Sequence, residues 1–453
     1  MKIDFKKEVL KRKDEFLKDL KTLIQINSEL TTYDPKRLGM PFGAGPREVL
    51  DEMLALGVRD GFNVLNVDGF AGHIEYGKQK EYVAILGHLD VVPAGNNWTY
   101  SPYELTIVDG KLYGRGVEDD KGPTLAAYYA MKILKELKVP LSKRVKLILG
   151  TDEESGSRCV EHYFKKHPEI PVTGFVPDAD FPLIYAEKGI LRVDITGEIQ
   201  DEVILSLDAG LRANMVPDAI NVVLKGNLVE SIKQVDSTLE PTFDNNVTKV
   251  TLSGKSAHGS TPDLGENAVF NFLKLLEQLE INTKLSNVLE TYFANDTSGE
   301  KLGINQICNE TGNLTSNLGI LKYVDNRLLT TLDIRYPKGI TYSEIVESIN
   351  SKLENYQLSV TKSTNADMLY VSPESTLVKT LLDVYIKHTG DQEAKPMVIG
   401  GGTYARSIPN VVAFGPHFPG RPSFIHQKDE YMLLDDLLLA TTIYLEALYK
   451  LAK

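Results

Sequence analysis

The chain has 453 residues, beyond one ordinary domain, so two domains are expected. Hydrophobic residues make up 42% of it, enough for real cores. A formal net charge of −12 argues against nucleic acid and against an anionic membrane surface as partners.

The first 20 residues, MKIDFKKEVLKRKDEFLKDL, are charged throughout and lack the apolar centre of a signal peptide. No apolar run approaches membrane-spanning length, so a cytoplasmic protein is expected. Cys159 and Cys308 are too few for a disulfide framework or a Cys-rich zinc site and read as reduced thiols. Phe5, Val9, Phe16, Leu20 and Ile24 recur at near-helical spacing and predict a helix over 5–26. A second helix over 46–56 has Pro46 at its start and Gly57 just beyond. Strand and helix then alternate: strand at 82–86, helix at 124–137, strand at 145–149. Short, nearly continuous apolar strands between helices indicate a mostly parallel sheet covered on both faces.

After Gly189 the texture changes. Residues 191–195, 221–228 and 247–252 alternate like half-exposed strands, followed by a helix from about Glu266 to Leu279. Further strands at 327–336 and 357–362 flank a helix at 342–353. That is an α+β pattern with antiparallel character. From about Tyr370 the first texture returns, with helices at 375–388 and 435–451 and a short strand at 411–414. The reading is an α/β domain over 1–189 and 369–453, interrupted by an α+β domain over 190–368. The inserted stretch has room for two small ferredoxin-like units.

Acid- and histidine-rich turns follow the apolar runs. YVAILG leads into His88 and Asp90, RVKLILG into Asp152-Glu153-Glu154, and GFVP into Asp178 and Asp180. NVVAFG precedes His426 by a loop, and Asp119-Asp120 stands before a helix start. Imidazoles and carboxylates are ligands for hard and borderline divalent metals, and ligands gather at the carboxyl ends of strands in open α/β sheets. If His88 binds metal through one ring nitrogen, the other needs an acceptor, and Asp90 is the candidate. Asp119 and Asp120 also suit a helix N-terminus without any metal. The side chains of Glu153 and Glu154 diverge, so one can bind metal while its neighbour removes a proton from water. Alone, such a pair is usually solvated surface; its place directly after a strand argues otherwise.

His258 lies among small residues in the inserted domain, either reaching another domain or simply at the surface. Arg335 closes a strand; it could clamp a substrate carboxylate or pair with a neighbouring acid. Gly400-Gly401-Gly402 allows close backbone approach to an anionic group but lacks the spacing of a nucleotide loop. His73, His388 and His417 read as structural or exposed. Neither a GxSxG elbow nor a GxxxxGK[ST] loop occurs.

GHLDVVPAG at 87–95, YGRGVEDDKGP at 113–123, GTDEES at 150–155, PDAD at 177–180 and the late His426 closely resemble the co-catalytic zinc peptidases. That family includes carnosinases, aminoacylases, desuccinylases and glutamate carboxypeptidase. RDGF at 59–62, GKSAHG at 254–259, IRYPKG at 334–339, GGGTYAR at 400–406 and HQKDEYM at 426–432 resemble its PepV-type bacterial dipeptidases, nearly end to end. The resemblance implies a zinc-exopeptidase-like α/β fold with an inserted lid. It implies two divalent ions, zinc first, with manganese and cobalt also suited to such ligands. His88 and Asp178 would each bind one or other metal and Asp119 would bridge both. Glu154 and His426 would complete the second metal's shell. Glu153 would be the general base, and Asp90 would orient His88. A cis bond would join Asp119 to Asp120. His258 would stabilise the oxyanion, while Asn214, Arg335 and the glycines 401 and 402 would hold the substrate.

The implied reaction is hydrolysis of dipeptides by a monomer. Leu369-Tyr370, where the subgroup often has histidine before tyrosine, and the individual segment 416–423 leave side-chain preference open. Two alternatives remain: an N-acyl amino acid deacylase such as a desuccinylase, and an inactive metal-dependent binding protein. The intact Glu153 argues against the latter.

Overall fold

A computed structural model of the chain describes residues 3–453. The chain divides into two compact units. One comprises Met1–Ala186, Tyr370–Met397 and Thr403–Lys453; the other comprises Glu187–Leu369 and Val398–Gly402.

The first unit is built on a mixed nine-stranded sheet. Its order is 63–67, 71–76, 144–150, 82–88, 173–176, 411–413, 184–187, 369–370, with 397–399 beside 184–187. The four strands at its centre run parallel and the hairpin at one edge is antiparallel. Every residue of Tyr82–His88 is buried, as expected for a strand covered on both faces. Helices Lys121–Glu136 and Leu434–Ala452 pack against each other and against this strand. Positions 121–134 of the first are buried on every side.

Two helix predictions need correction. The helix expected over 5–26 is two, Phe5–Leu10 and Lys13–Gln25. The Arg12 guanidinium takes the Glu8 carbonyl (2.7 Å) that a continuous helix would give to the Arg12 N–H, which bonds instead to Val9. The second helix runs Ala44–Arg59, so Gly57 lies inside it. A Cβ at Gly57 would stand 2.7 Å from Val64 Cγ1. The glycine therefore serves close packing rather than termination.

The second unit is one eight-stranded sheet in the order 242–244, 247–253, 219–225, 204–209, 315–324, 327–336, 189–198, 359–366. Every pairing is antiparallel. Helices Ala268–Gln278, Lys284–Tyr292 and Tyr342–Leu353 contribute Phe272, Leu289 and Ile345 to a core shared with Val193, Leu207, Val222 and Leu332. The strands at 204–209 and 315–324 add to the predicted set. The latter pairs with 327–336 through Asp325-Asn326, both with positive φ, the turn chemistry of a tight hairpin. Among the described residues no helix is long and apolar enough to cross a membrane.

Candidate metal centre

Three strand ends, one helix start and one loop of the first unit deliver the acidic turns to a common place. His88 ends its strand fully buried, and its peptide N–H donates to Asp120 Oδ2 at 3.1 Å. Its Nδ1 lies 3.0 Å from the main-chain carbonyl of Asp90, an acceptor that makes Nδ1 the protonated nitrogen. The Asp90 carboxylate is 3.6 Å from Nδ1 and has other partners: it accepts the N–H groups of Glu153 and Glu154, both at 3.1 Å. Asp90 thus orients His88 through its backbone and seats the Glu153-Glu154 turn through its side chain.

His88 Nε2 is 3.0 Å from Asp119 Oδ1 and 3.7 Å from Asp178 Oδ2. His426 Nε2 is 3.0 Å from Asp119 Oδ2 and 3.2 Å from Glu154 Oε1. The two oxygens of Asp119 therefore face two different imidazoles. Candidate ligand atoms of His88, Asp119 and Glu154 all lie within 4.8 Å of one another. The Asp119–Asp120 peptide bond is cis, as the resemblance implies.

The electrostatics reflect crowding. Burial opposes the charged form of His88, but Asp119, Asp90 and Asp178 outweigh it and hold the imidazole well above its ordinary value. Asp119 and Glu154 raise His426 to about 10. Burial first, then Asp178, Glu154 and Asp90, push Glu153 up to about 8 against the pull of His88. Burial and Asp178 raise Asp120 well above the carboxylate range. Lys121, next in the chain, spends its ammonium on the Leu23 and Ile26 carbonyls.

Glu154 Oε1 and Asp120 Oδ1 are buried without a hydrogen bond; the 3.2 Å approach of His426 to Glu154 lacks hydrogen-bond geometry. Buried carboxylate oxygens left so are costly unless a cation meets them. Oxygen and imidazole donors at these distances fit a divalent metal.

In the second unit the segments holding Asn214 and His258 run side by side. The Asn214 carbonyl accepts the Gly259 N–H at 2.8 Å, and Met215 forms a bridge with His258. Asn317 Nδ2 supports this segment by donating to the Ala213 and Met215 carbonyls. His258 is exposed, and its Nδ1 lies 2.7 Å from Ser260 Oγ and accepts the Ser260 N–H at 3.2 Å, an arrangement that suits a proton on Nε2. Burial and the Arg335 charge lower its pKa, favouring the neutral ring.

Arg335 is 3% exposed and already engaged. It donates to both oxygens of Asp333 and to the Gly400 carbonyl. One N–H on each terminal nitrogen remains. Gly401 and Gly402 belong to this unit too.

Sequence reasoning gave no role to Glu430, Arg115, Glu118 or Asn317. His417, read as structural or exposed, pairs with Glu118 at 3.0 Å, and His388 with Glu446 at 2.7 Å. The motifs containing Glu430 and Arg115 were visible, but the distance between them in the chain hid their pairing.

Residues 84–450 match the family model described as peptidase family M20/M25/M40. A relative from Bacillus subtilis strain 168, named "Putative dipeptidase YtjP", is 42% identical over 466 residues, covering 98% of this chain and 99% of its own. A Staphylococcus epidermidis protein named "Putative dipeptidase" is 38% identical, covering 99% of each chain. Among solved structures, human carnosine dipeptidase 1 is similar at a TM-score of 0.58 and 17% identity, with 98% of each chain covered. Dug1p of Saccharomyces cerevisiae follows at 0.57 and 14%, again with 98% of each chain covered. At those identities the structures speak for the fold alone.

Proposed function

The chain belongs to peptidase family M20/M25/M40 and is a metallopeptidase; from that premise we propose that it hydrolyses dipeptides with two divalent cations, zinc foremost. The observation that carries the reading is Asp119, whose two carboxylate oxygens each stand 3.0 Å from a separate imidazole. His88 and Asp178 would hold one cation, Glu154 and His426 the other, with Asp119 between them. Such a pair supplies Lewis acidity toward the scissile carbonyl and lowers the pKa of water.

Glu153 takes the proton of the attacking water on its carboxylate and hands it to the leaving nitrogen. Asp90 keeps Glu153 and Glu154 in register through their N–H groups, which supports their division of labour. In the second unit, Asn214 and His258 are assigned to the substrate backbone and the oxyanion, the neutral Nε2–H of His258 being a suitable donor. The two unspent N–H groups of Arg335, with Gly401 and Gly402, are assigned to the terminal carboxylate. The second unit reads as two ferredoxin-like halves joined edge to edge, acting as a lid. We read the protein as a monomer, which light scattering would test.

The deciding experiment strips the protein of metal and reloads it with zinc, manganese or cobalt. It is then offered dipeptides, tripeptides and N-acyl amino acids. Turnover of dipeptides is expected. Turnover of acylated amino acids alone would make it a deacylase, and no turnover with any metal would leave a binding protein.

A further inference from the structure

His426 stands on the stretch of the site least able to hold itself. Between Phe418 and Glu430 the chain forms no helix or strand, and the His426 backbone has a φ of +59°. The imidazole side chain is half exposed. The loop's own main-chain bonds are few, among them Arg421 to Phe418 and Gln427 to Phe424. Residues 114–119 supply several of its ties; others come from Thr99, which donates to the Asp429 carboxylate, and from Asp436, which pairs with Arg421.

Glu430, at the end of the loop, is fully buried. Its Oε1 accepts three N–H groups, from Gly116 at 3.0 Å, Glu118 at 2.9 Å and Asp119 at 3.3 Å. Its Oε2 accepts from Arg115 Nη1 at 2.6 Å. Its main-chain carbonyl takes the Gly114 N–H, extending the pairing of Tyr431–Leu433 with Lys111–Tyr113. N–H groups converging on one oxygen make an anion nest, and an ionised carboxylate fills it best. Glu118 makes the reciprocal tie: its Oε1 meets His417 Nδ1 and its Oε2 accepts the Phe424 N–H at 3.2 Å. Two carboxylates thus cross between the same two segments, one on each side of His426. The Glu430 tie ends on the amide of Asp119, the residue that faces both imidazoles.

We infer that Glu430 is a positioning residue, which sets the reach of His426 to Asp119 and so tunes one half of the site. The half at His88 is held separately, by the end of a buried strand and by Asp90 and Asp120, none of which bonds Glu430. The metal consequence rests on the two-cation reading; the loop consequence does not.

The test compares wild type with Glu430→Gln and Glu430→Asp. A glutamine keeps the shape but sets an NH2 against either Arg115 or the three N–H donors. Hydrogen exchange of peptides covering 418–429 should quicken, while strands 82–88 and 144–150 keep their protection. In zinc titrations one of the two sites should lose ~10–100-fold in affinity, the scale for groups that support a ligand, and the other should weaken much less. Glu430→Asp, which keeps the charge on a shorter arm, should fall between; it carries both readouts if the glutamine variant does not fold. Unchanged exchange in 418–429 overturns the inference. So does uniform acceleration across the strands, or equal weakening of both zinc sites, because a mere fold staple would act that way. A wild type that takes up no zinc refutes the two-cation reading, and the exchange data then decide the docking alone.

Discussion

Zinc added to the metal-free protein at pH 7.5 is expected to expel at least about two protons per chain, because a metal-bound imidazole must present a bare nitrogen. Asp119, Asp90 and Asp178 hold His88 well above its ordinary value, and Asp119 and Glu154 raise His426 to about 10. Both shifts favour the protonated ring before the metal arrives. Two histidines at the ordinary value of about 6.5 would release only about a fifth of a proton together at that pH. Each proton released makes binding tighter by about tenfold, or ~1.4 kcal/mol, per unit rise in pH. Two protons make it about a hundredfold per pH unit for the pair, or about ten-thousandfold from pH 6 to pH 8, tightening as pH rises. Calorimetric titrations in buffers of different ionisation enthalpy count the protons directly. Heats that do not depend on the buffer, or affinity flat with pH, would refute the claim that these two imidazoles are ligands held protonated by the neighbouring carboxylates.

The same groups set the pH dependence of the metal-free fold. Glu153 is raised from 4.5 to about 8 and His426 from 6.5 to about 10. A raised folded value gives stability that is full below the unfolded value and lost as pH climbs through the folded one. Chelated protein should therefore melt at falling temperature from pH 5 to pH 10, with Glu153 acting up to about 8 and His426 up to about 10. Metal-loaded protein should lack that slope; a flat or rising trend in the chelated protein would contradict the geometry. Glu153→Gln should lower kcat by at least ~10²-fold with bound metal unchanged, measured by dipeptide hydrolysis and elemental analysis. Arg335→Ala should weaken dipeptides with a free C-terminus more than amidated ones; equal losses would remove Arg335 from the carboxylate. A Cβ at Gly87 would lie 2.0 Å from Thr124 Oγ1, which donates to Asp120. Gly87→Ala should cost ~1–3 kcal/mol by denaturant unfolding, the usual scale for overpacking, and a neutral result would show that the helix can move away.

The candidate cluster was legible in part because His88, Glu154 and Asp178 each follow an apolar run and the parallel strands carry their ends to one edge, whereas Asp119 stands before a helix and His426 in a loop. His88 after YVAILG and Glu154 after RVKLILG are the plainest cases. What the Asp90 carboxylate does was not legible: it depends on where the Glu153 and Glu154 amides fall, some 60 residues later in the chain. Glu430 and Arg115 are further apart still, at 315 residues, and no local pattern announces a buried pair at that distance. Arg335 was left open between substrate and neighbour, and Asp333, two residues back on its own strand, occupies much of its fork. The break at Arg12 arises from a side chain competing for a backbone acceptor, which apolar periodicity does not register. Asp325-Asn326 and Asn245-Asn246 are different. Both are hairpin turns with positive φ, and their residue types signal the turn directly.

The central claim is that two cations sit on either side of the Asp119 carboxylate. Anomalous diffraction at the zinc edge, from crystals grown with zinc, tests it most directly. Two peaks are predicted, one beside His88 and Asp178 and the other beside Glu154 and His426, with Asp119 between them. No peak among these five residues, or a single peak that leaves Asp119 on one ion only, would contradict it.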